Sequence, residues 1–279
     1  VSRVELIGQG MEGAVYDLGD GRVRKTWFGR RPDDVRPLKA FLDELPPLPF
    51  RTPRIREISA DADGLAVSVE DLLTGTALPD AEVTEEQALD AFVAVVEALG
   101  TTLPGPTSKA LPVLNQPFWR DDLSWGEALA ALVRRRAAES HHHLKRDVAD
   151  FDDLLDNLTA RLATIEPDRL SVVHGDVCPP NLLMDGSRTA ALLDWGFYST
   201  AGDNTFDAAL AAGFFDMYGP DAHRLDNLLL DRFERLGHDR QRMYLYRAAY
   251  AITTATIYDA DAGDGHYLWC VGNLNRLPR

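Results

Sequence analysis

VVHGDVCPPN, residues 172–181, and ALLDWG, residues 191–196, decide how this chain is read. A short apolar run delivers His174, Gly175 and Asp176, and Asn181 follows five residues after that aspartate. Residues 182–184, a polar turn at Asp185 and Gly186 and a second apolar run then lead to Asp194, Trp195 and Gly196. Two acids and an amide therefore fall on two loops joined by one hairpin. Phosphoryl transfer calls for such a set: one carboxylate to orient a hydroxyl and accept its proton, and oxygen ligands for Mg²⁺. Either half alone could be ordinary turn chemistry, since Asp-Gly pairs and Asn favour turns. Both halves, in this order and at this spacing, point to catalysis.

Working outward to the N-terminus, residues 4–7 read as a strand. The chain then runs Gly8, Gln9, Gly10, Met11, Glu12, Gly13, Ala14 and Val15. A GxGxxG loop that opens a helix holds a dinucleotide, whereas one that opens an antiparallel strand covers the phosphates of a nucleoside triphosphate. Here residues 14–18 are strand-like, Gly19, Asp20 and Gly21 make a hairpin turn, and residues 22–27 are another strand. Gly8, Gly10, Gly13 and Val15 are accordingly expected over the nucleotide. Lys25, on the third strand, is placed to reach its phosphates. Residues 33–45 read as a helix with Leu38, Phe41, Leu42 and Leu45 on one face. An acid on that helix should pair with Lys25, and Glu44, Asp43 and Asp34 all qualify. Prolines 46, 47 and 49 end the helix. Two more strands, 54–58 and 65–69, lead through Glu70, Asp71, Leu72 and Leu73 to Gly75, where strands give way to helices. This backbone is the expected adenine hinge, with Glu70 and Leu72 beside the nucleotide. The lobe boundary falls near Gly75, giving a nucleotide-binding lobe over 1–75 and a catalytic and substrate-binding lobe over 76–279.

The second lobe reads as mainly helical. Helices are expected over 82–99, with a Thr84 cap and Gln87 three residues on, and over 123–139, 148–165, 205–215, 220–236, 240–259 and 265–274. Residues 100–117 read as a long loop rich in Pro, Thr and Gly. Asp207, in the first turn of its helix, reads as support for helix dipole and packing. Residues 199–267 carry eleven acids, six arginines and no lysine, among many aromatic residues, so an acidic and aromatic pocket is possible there.

The chain has 279 residues, enough for one large domain or two lobes, and a net charge of −15. That charge argues against nucleic acid and against an anionic membrane surface. Its two cysteines, Cys178 and Cys270, imply no disulfide framework and fit a reducing cytoplasm. No apolar run approaches membrane-spanning length, and the N-terminus lacks a signal-peptide layout. His141, His142 and His143 lie in a helical segment, where adjacent side chains diverge, and read as a solvated face.

These residues resemble the aminoglycoside phosphotransferase-like kinases, a group that includes macrolide, choline and homoserine kinases. The HGDxxxxN of 174–181 and the DxG of 194–196 are similar to the catalytic and metal-binding loops of protein kinases. The resemblance implies an α+β, bilobal, protein-kinase-like fold, with an antiparallel sheet and a helix in the first lobe and helices in the second. It implies Asp176 as the catalytic residue at the acceptor hydroxyl, Asn181 and Asp194 as ligands of Mg²⁺, Lys25 on the phosphates of ATP or GTP, and His174 as site support. Asp203 and Asp207 match a GDxxxD element that supports the site in this family. Cys178 stands where such enzymes often carry His. The expected acceptor is a hydroxyl of a small molecule, an antibiotic of the aminoglycoside, macrolide or nucleoside type, with resistance as the consequence and a monomer or small homo-oligomer as the state. One rival is a protein kinase, which would want Arg after the catalytic-loop His and a peptide-docking segment after the DxG. The other is a nucleotide-binding module without catalysis, which would be expected to lack Lys25, Asp176, Asn181 or Asp194.

Overall fold

The computed structural model describes residues 5–277 apart from 121, 260 and 262, so Val4 of the first predicted strand lies outside the described residues. Strands β1 (Glu5–Gln9), β2 (Gly13–Asp17) and β3 (Arg22–Trp27) form an antiparallel meander. Helix α1 (Pro32–Glu44) crosses over, and β4 (Ile55–Ala60) and β5 (Ala66–Asp71) complete a five-stranded sheet in the order β1-β2-β3-β5-β4. The period of two along a strand puts Val23, Lys25 and Trp27 on one face. Val15 pairs with Lys25 and Glu70 with Val23, which brings Val15 and Glu70 onto the same face. α1 closes the sheet with Val35, Leu38, Phe41 and Leu42, the buried stripe of an amphipathic helix.

The chain leaves this sheet at Asp71, and its next strand, β6 (Thr76–Ala77), pairs with β10 (Leu182–Asp185) far along the sequence. Gly75, at φ 149°, makes that crossing possible, because a Cβ there would lie 2.9 Å from the Leu183 side chain and 3.0 Å from the Met184 carbonyl. We propose the division between the lobes at this residue. Helix α2 (Glu85–Thr101) begins with the expected capping box: Thr84 Oγ1 accepts the Gln87 N–H and Gln87 Oε1 accepts the Thr84 N–H.

The segment read as a long loop contains a short hairpin, β7 (Pro112–Val113) and β8 (Gln116–Pro117). Its turn residues Leu114 and Asn115 have φ 51° and 59°. Such turns normally advertise themselves with Gly, and this one has none. Helix α3 (Trp125–Asp147) runs past residue 139 and takes in the three histidines, which the sequence already reads as helical. It lies against α4 (Phe151–Ala163), and β9 (Ser171–Val173), wholly buried, then enters the centre. Strands β10 and β11 (Arg188–Leu192) form the predicted hairpin.

β12 (Thr200–Gly202), a strand absent from the sequence reading, pairs antiparallel with β9. Three residues are too few for a period of two to show in a sequence. Helices α5 (Asn204–Phe214), α6 (Ala222–Arg235), α7 (Arg240–Thr254) and α8 (Gly265–Asn275) complete the chain. Around α5 an aromatic core gathers Trp125, Tyr198, Phe206, Tyr246 and Tyr250. Arg224 and Arg232 of α6 clasp Glu85, Glu86 and Asp90 of α2. No helix among the described residues is long and apolar enough to cross a membrane.

The start of α3 meets the end of α4 backbone to backbone. A Cβ on Gly126 would sit 2.1 Å from the Leu162 carbonyl oxygen and 2.7 Å from that of Ile165. Gly126→Ala should therefore cost about 1–3 kcal/mol by overpacking. Denaturant unfolding checks this, and an unchanged midpoint would mean that the two helix ends part freely.

Candidate active site

β9 carries the chain to His174, whose ring is fully buried. Its Nδ1 accepts the backbone N–H of Asp176 at 3.1 Å, so Nε2 carries the proton and donates to the Leu193 carbonyl at 2.9 Å. The ring is thus a neutral strut between the Asp176 loop and the Asp194 loop, set edge-on to Trp195 at 4.6 Å. Burial holds its pKa down to about 4. Ser199 makes a second tie: its hydroxyl accepts the Gly196 N–H and donates to the His174 carbonyl.

Gly175 follows in the left-handed region at φ 78°, with a Cβ position only 2.3 Å from the Tyr198 Cβ. No other residue fits this turn. The backbone N–H groups of His174 and Gly175 both donate to Asp207, at 2.9 and 2.7 Å. Asp207 is completely buried, and burial pushes its carboxyl up to about 7 against the pull of those two donors. Its geometry is more specific than the helix-dipole reading, because it clamps the turn ahead of Asp176 directly. Asp203 caps α5 through the Thr205 N–H and accepts the Tyr246 hydroxyl at 2.7 Å.

The Asn181 amide donates to both the backbone carbonyl and Oδ2 of Asp176, at 2.9 and 3.0 Å. This fixes the carboxylate and leaves Asn181 Oδ1 without a donor among the described residues. Burial and the nearby Asp194 push the Asp176 carboxyl up to about 7, and the Asn181 amide pulls it back. Asp194 is held at φ 61°, unusual for a residue other than Gly, with its side chain half exposed. Its Oδ1 lies 3.6 Å from Lys25 Nζ. Two neighbouring carboxylates, one of them raised by the other, with a free amide oxygen beside them, suit a divalent cation. No cluster of three His, Cys, Asp or Glu able to hold a metal occurs among the described residues. Mg²⁺ itself needs only one or two protein carboxylates, its other positions going to water and phosphate.

Two cavities meet here. One, of about 510 Å³, lies under the five-stranded sheet and is lined by Gly8, Gly10, Gly13, Val15, Lys25, Glu70, Leu72, Asn181 and Asp194, among others. Every residue predicted for the nucleotide faces it. The Leu72 N–H is engaged by the Gly21 carbonyl, which leaves its own carbonyl and side chain for a ligand. The Glu70 carboxylate is held within the sheet by the Ser68 hydroxyl at 2.6 Å, so its side chain is not free. The second cavity, of about 760 Å³, is lined by Asp176, Cys178, Asp216, Tyr218, Tyr250 and Tyr258, among others. Pro180 borders both. The Cys178 thiol lines this cavity beside Asp176, and burial pushes it well above its ordinary range.

Glu44 does not serve Lys25. Its carboxylate turns away from the cleft and accepts from the N–H and hydroxyl of Thr107. It stands at the last turn of α1, beyond the part that faces the sheet. Asp43 pairs with Lys39, and Asp34 accepts the Arg31 N–H at the helix start. The acid nearest Lys25 outside the Asp194 loop is Glu12, in the glycine loop itself, with Oε2 at 4.0 Å. Sequence reasoning passed over Glu12 because it stands at a variable position of the motif, and over Ser199 because nothing in its neighbourhood marks it.

Because the fold favours the neutral His174 ring, its contribution is complete above the unfolded value of about 6.5. It is lost as pH falls from there through the folded value of about 4. Between pH 6.5 and 4.5 the melting temperature of the wild type should fall more steeply than that of His174→Asn. Parallel pH profiles would contradict the buried neutral ring.

Residues 3–246 match the phosphotransferase enzyme family APH. The chain is 31% identical over 215 residues to an aminoglycoside 3'-phosphotransferase of Streptomyces ribosidificus, covering 65% of this chain and 73% of that protein. It is 29% identical over 254 residues to an aminoglycoside 3'-phosphotransferase of Streptomyces fradiae, covering 81% and 80%. Among solved structures, a thermostable mutant of aminoglycoside phosphotransferase APH(4)-Ia superposes with a TM-score of 0.73 at 17% identity, covering 99% of this chain and 94% of that one. The GDP complex of aminoglycoside 2'-phosphotransferase-IIIa gives 0.65 at 15%, covering 98% and 91%. These structures share the kinase-like fold found here, an antiparallel N-terminal sheet on a helical C-terminal part. The chain belongs to the phosphotransferase enzyme family and is a transferase that moves a phosphoryl group to an alcohol.

Proposed function

We propose that this protein is a Mg²⁺-dependent kinase that transfers the γ-phosphoryl group of ATP or GTP to a hydroxyl of a small cationic antibiotic, an aminoglycoside first among them. The observation that carries this reading is the division of the site. Lys25, Asn181 and Asp194 line one cavity, Asp176 lines the other, and the two share a wall at Pro180. A nucleotide in the first and a hydroxyl in the second would meet beside Asp176.

The chemistry follows from the positions. Asn181 holds Oδ2 of Asp176, leaving Oδ1 to accept a hydrogen bond from the acceptor hydroxyl. The acceptor oxygen attacks the γ-phosphorus in line as the bond to the β–γ bridging oxygen breaks. Asp176 takes the proton, and the nucleoside diphosphate leaves. Lys25 and the glycine loop orient the phosphates and offset their charge. Mg²⁺, bound through Asn181 Oδ1 and Asp194, would neutralise charge on the phosphate oxygens.

Among the described residues the second cavity has no Lys or Arg in its lining, and although Arg224 engages Glu85 at its rim, Asp176 and Asp216 remain among aromatic faces. That lining disfavours an anionic acceptor and complements ammonium groups. The named activity of both Streptomyces relatives agrees with it. A protein acceptor is disfavoured by the chain after Gly196, which enters β12 at Thr200 and α5 at Asn204 and leaves no peptide-docking segment. The two cysteines are free, as a reducing cytoplasm would leave them, and ATP is abundant there.

Nucleoside diphosphate release with Mg²⁺ and either ATP or GTP should appear on adding kanamycin or hygromycin B, with one phosphate gained by mass spectrometry. Transfer only to uncharged acceptors would remove the cationic argument, and label on protein alone would overturn the small-molecule reading. Asp176→Asn should lower kcat by about 10²–10⁴-fold while nucleotide still binds. Asp194→Ala should lose Mg-nucleotide affinity as well as turnover. Full activity in Asp176→Asn would take the proton-accepting role from that residue.

A further inference from the structure

A lysine that must meet phosphates at a fixed angle needs a partner, because its four-carbon stem is otherwise free to swing. Helix α1 supplies none. Its cleft-facing residues are Leu38 and Leu42, and Leu38 lies against Gly196. Its acids are engaged elsewhere, Asp33 by Arg36, Asp34 by the Arg31 N–H, Asp43 by Lys39 and Glu44 by Thr107.

Glu12 lies between Gly10 and Gly13 at the tip of the glycine loop, yet its side chain is only 12% exposed. Oε2 faces Lys25 at 4.0 Å, and Oε1 accepts from the Arg30 guanidinium at 2.5 Å. The same guanidinium nitrogen donates to Asn115 Oδ1 at 3.0 Å. Asn115 belongs to the β7–β8 turn, and its neighbour Leu114 donates its N–H to the Phe197 carbonyl, just past the Asp194 loop. One polar chain therefore runs from Lys25 through Glu12 and Arg30 to the C-terminal lobe. Arg30 also offsets the charge of Glu12, which would otherwise repel the phosphates.

We propose that Glu12 is the positioning residue for Lys25, so that the glycine loop rather than helix α1 supplies the carboxylate that aims the lysine, with Arg30 and Asn115 anchoring it from the other lobe. The inference rests on the phosphotransferase reading, but it concerns nucleotide binding alone and needs no acceptor. Closure of the glycine loop and aim of the lysine then become one event, since both depend on the same side chain.

A double-mutant cycle read by calorimetric titration of Mg-ADP and Mg-ATP, and of Mg-GDP and Mg-GTP, tests it with whichever pair the wild type binds. Glu12→Gln keeps the shape of the side chain and should weaken binding by about tenfold, an ordinary size for a coupled contact pair. Lys25→Met should weaken it further, and adding Glu12→Gln to Lys25→Met should change nothing. Arg30→Gln provides a second route should Glu12→Gln fold poorly, with a loss in the wild-type background and none beside Lys25→Met. Wild-type affinity in Glu12→Gln, or an equal loss in both backgrounds for either variant, would overturn the positioning role. A wild type that binds neither adenine nor guanine nucleotides would instead overturn the kinase reading, and this proposal with it.

Discussion

Asp207 is a fully buried carboxyl group that accepts the backbone N–H groups of His174 and Gly175, and the turn that presents Asp176 depends on it. A turn of this kind leaves successive N–H groups pointing the same way into the interior, where an unpaired donor is costly. Asp207 satisfies both at once from the first turn of α5, so the helix and the turn cannot move separately. α5 is itself locked, since every residue from Thr205 to Phe214 is buried. Asp203 joins it to Tyr246 and, through that hydroxyl, to Trp125 of α3. The position of Asp176 is thereby referred to the helical core. Overpacking at Gly175, or loss of either Asp207 oxygen, would be felt at the hydroxyl to be phosphorylated before it was felt anywhere else.

The same logic explains why a histidine stands two residues before Asp176. A neutral imidazole has one donor and one acceptor at opposite ends of a rigid ring. His174 uses the acceptor on its own loop and the donor on the loop that ends in Asp194. A residue with two donors, or a charged ring, would leave one loop unpartnered. Burial, which keeps the ring uncharged, is thus part of the geometry.

Much of this was legible in the sequence, and the residues show why. The two loops proposed for catalysis and metal binding stand out because phosphoryl transfer constrains residue type and spacing together, and their side chains line the two cavities at the centre. The meander of β1, β2 and β3 could be read because glycine hairpins punctuate it. The Thr84 and Gln87 capping box was legible because both partners lie in one turn. What escaped depends on distant parts of the chain. β12 exists only because β9 lies beside it, and the β7–β8 turn adopts positive φ at Leu and Asn without the glycine that announces such turns. The Lys25 partner was sought on α1, whereas packing turned that face apolar and moved the acid to the glycine loop. Pairing across that distance leaves no local pattern to read.

The pairing of β12 with β9 has a consequence for control. The stretch that follows Asp194 is stitched at once to the strand that delivers Asp176. It has no slack with which to swing across the cleft or to wait for a modification before it orders. The loop that ends in Asp194 and the loop that carries Asp176 are thus ordered together, by a single strand pair.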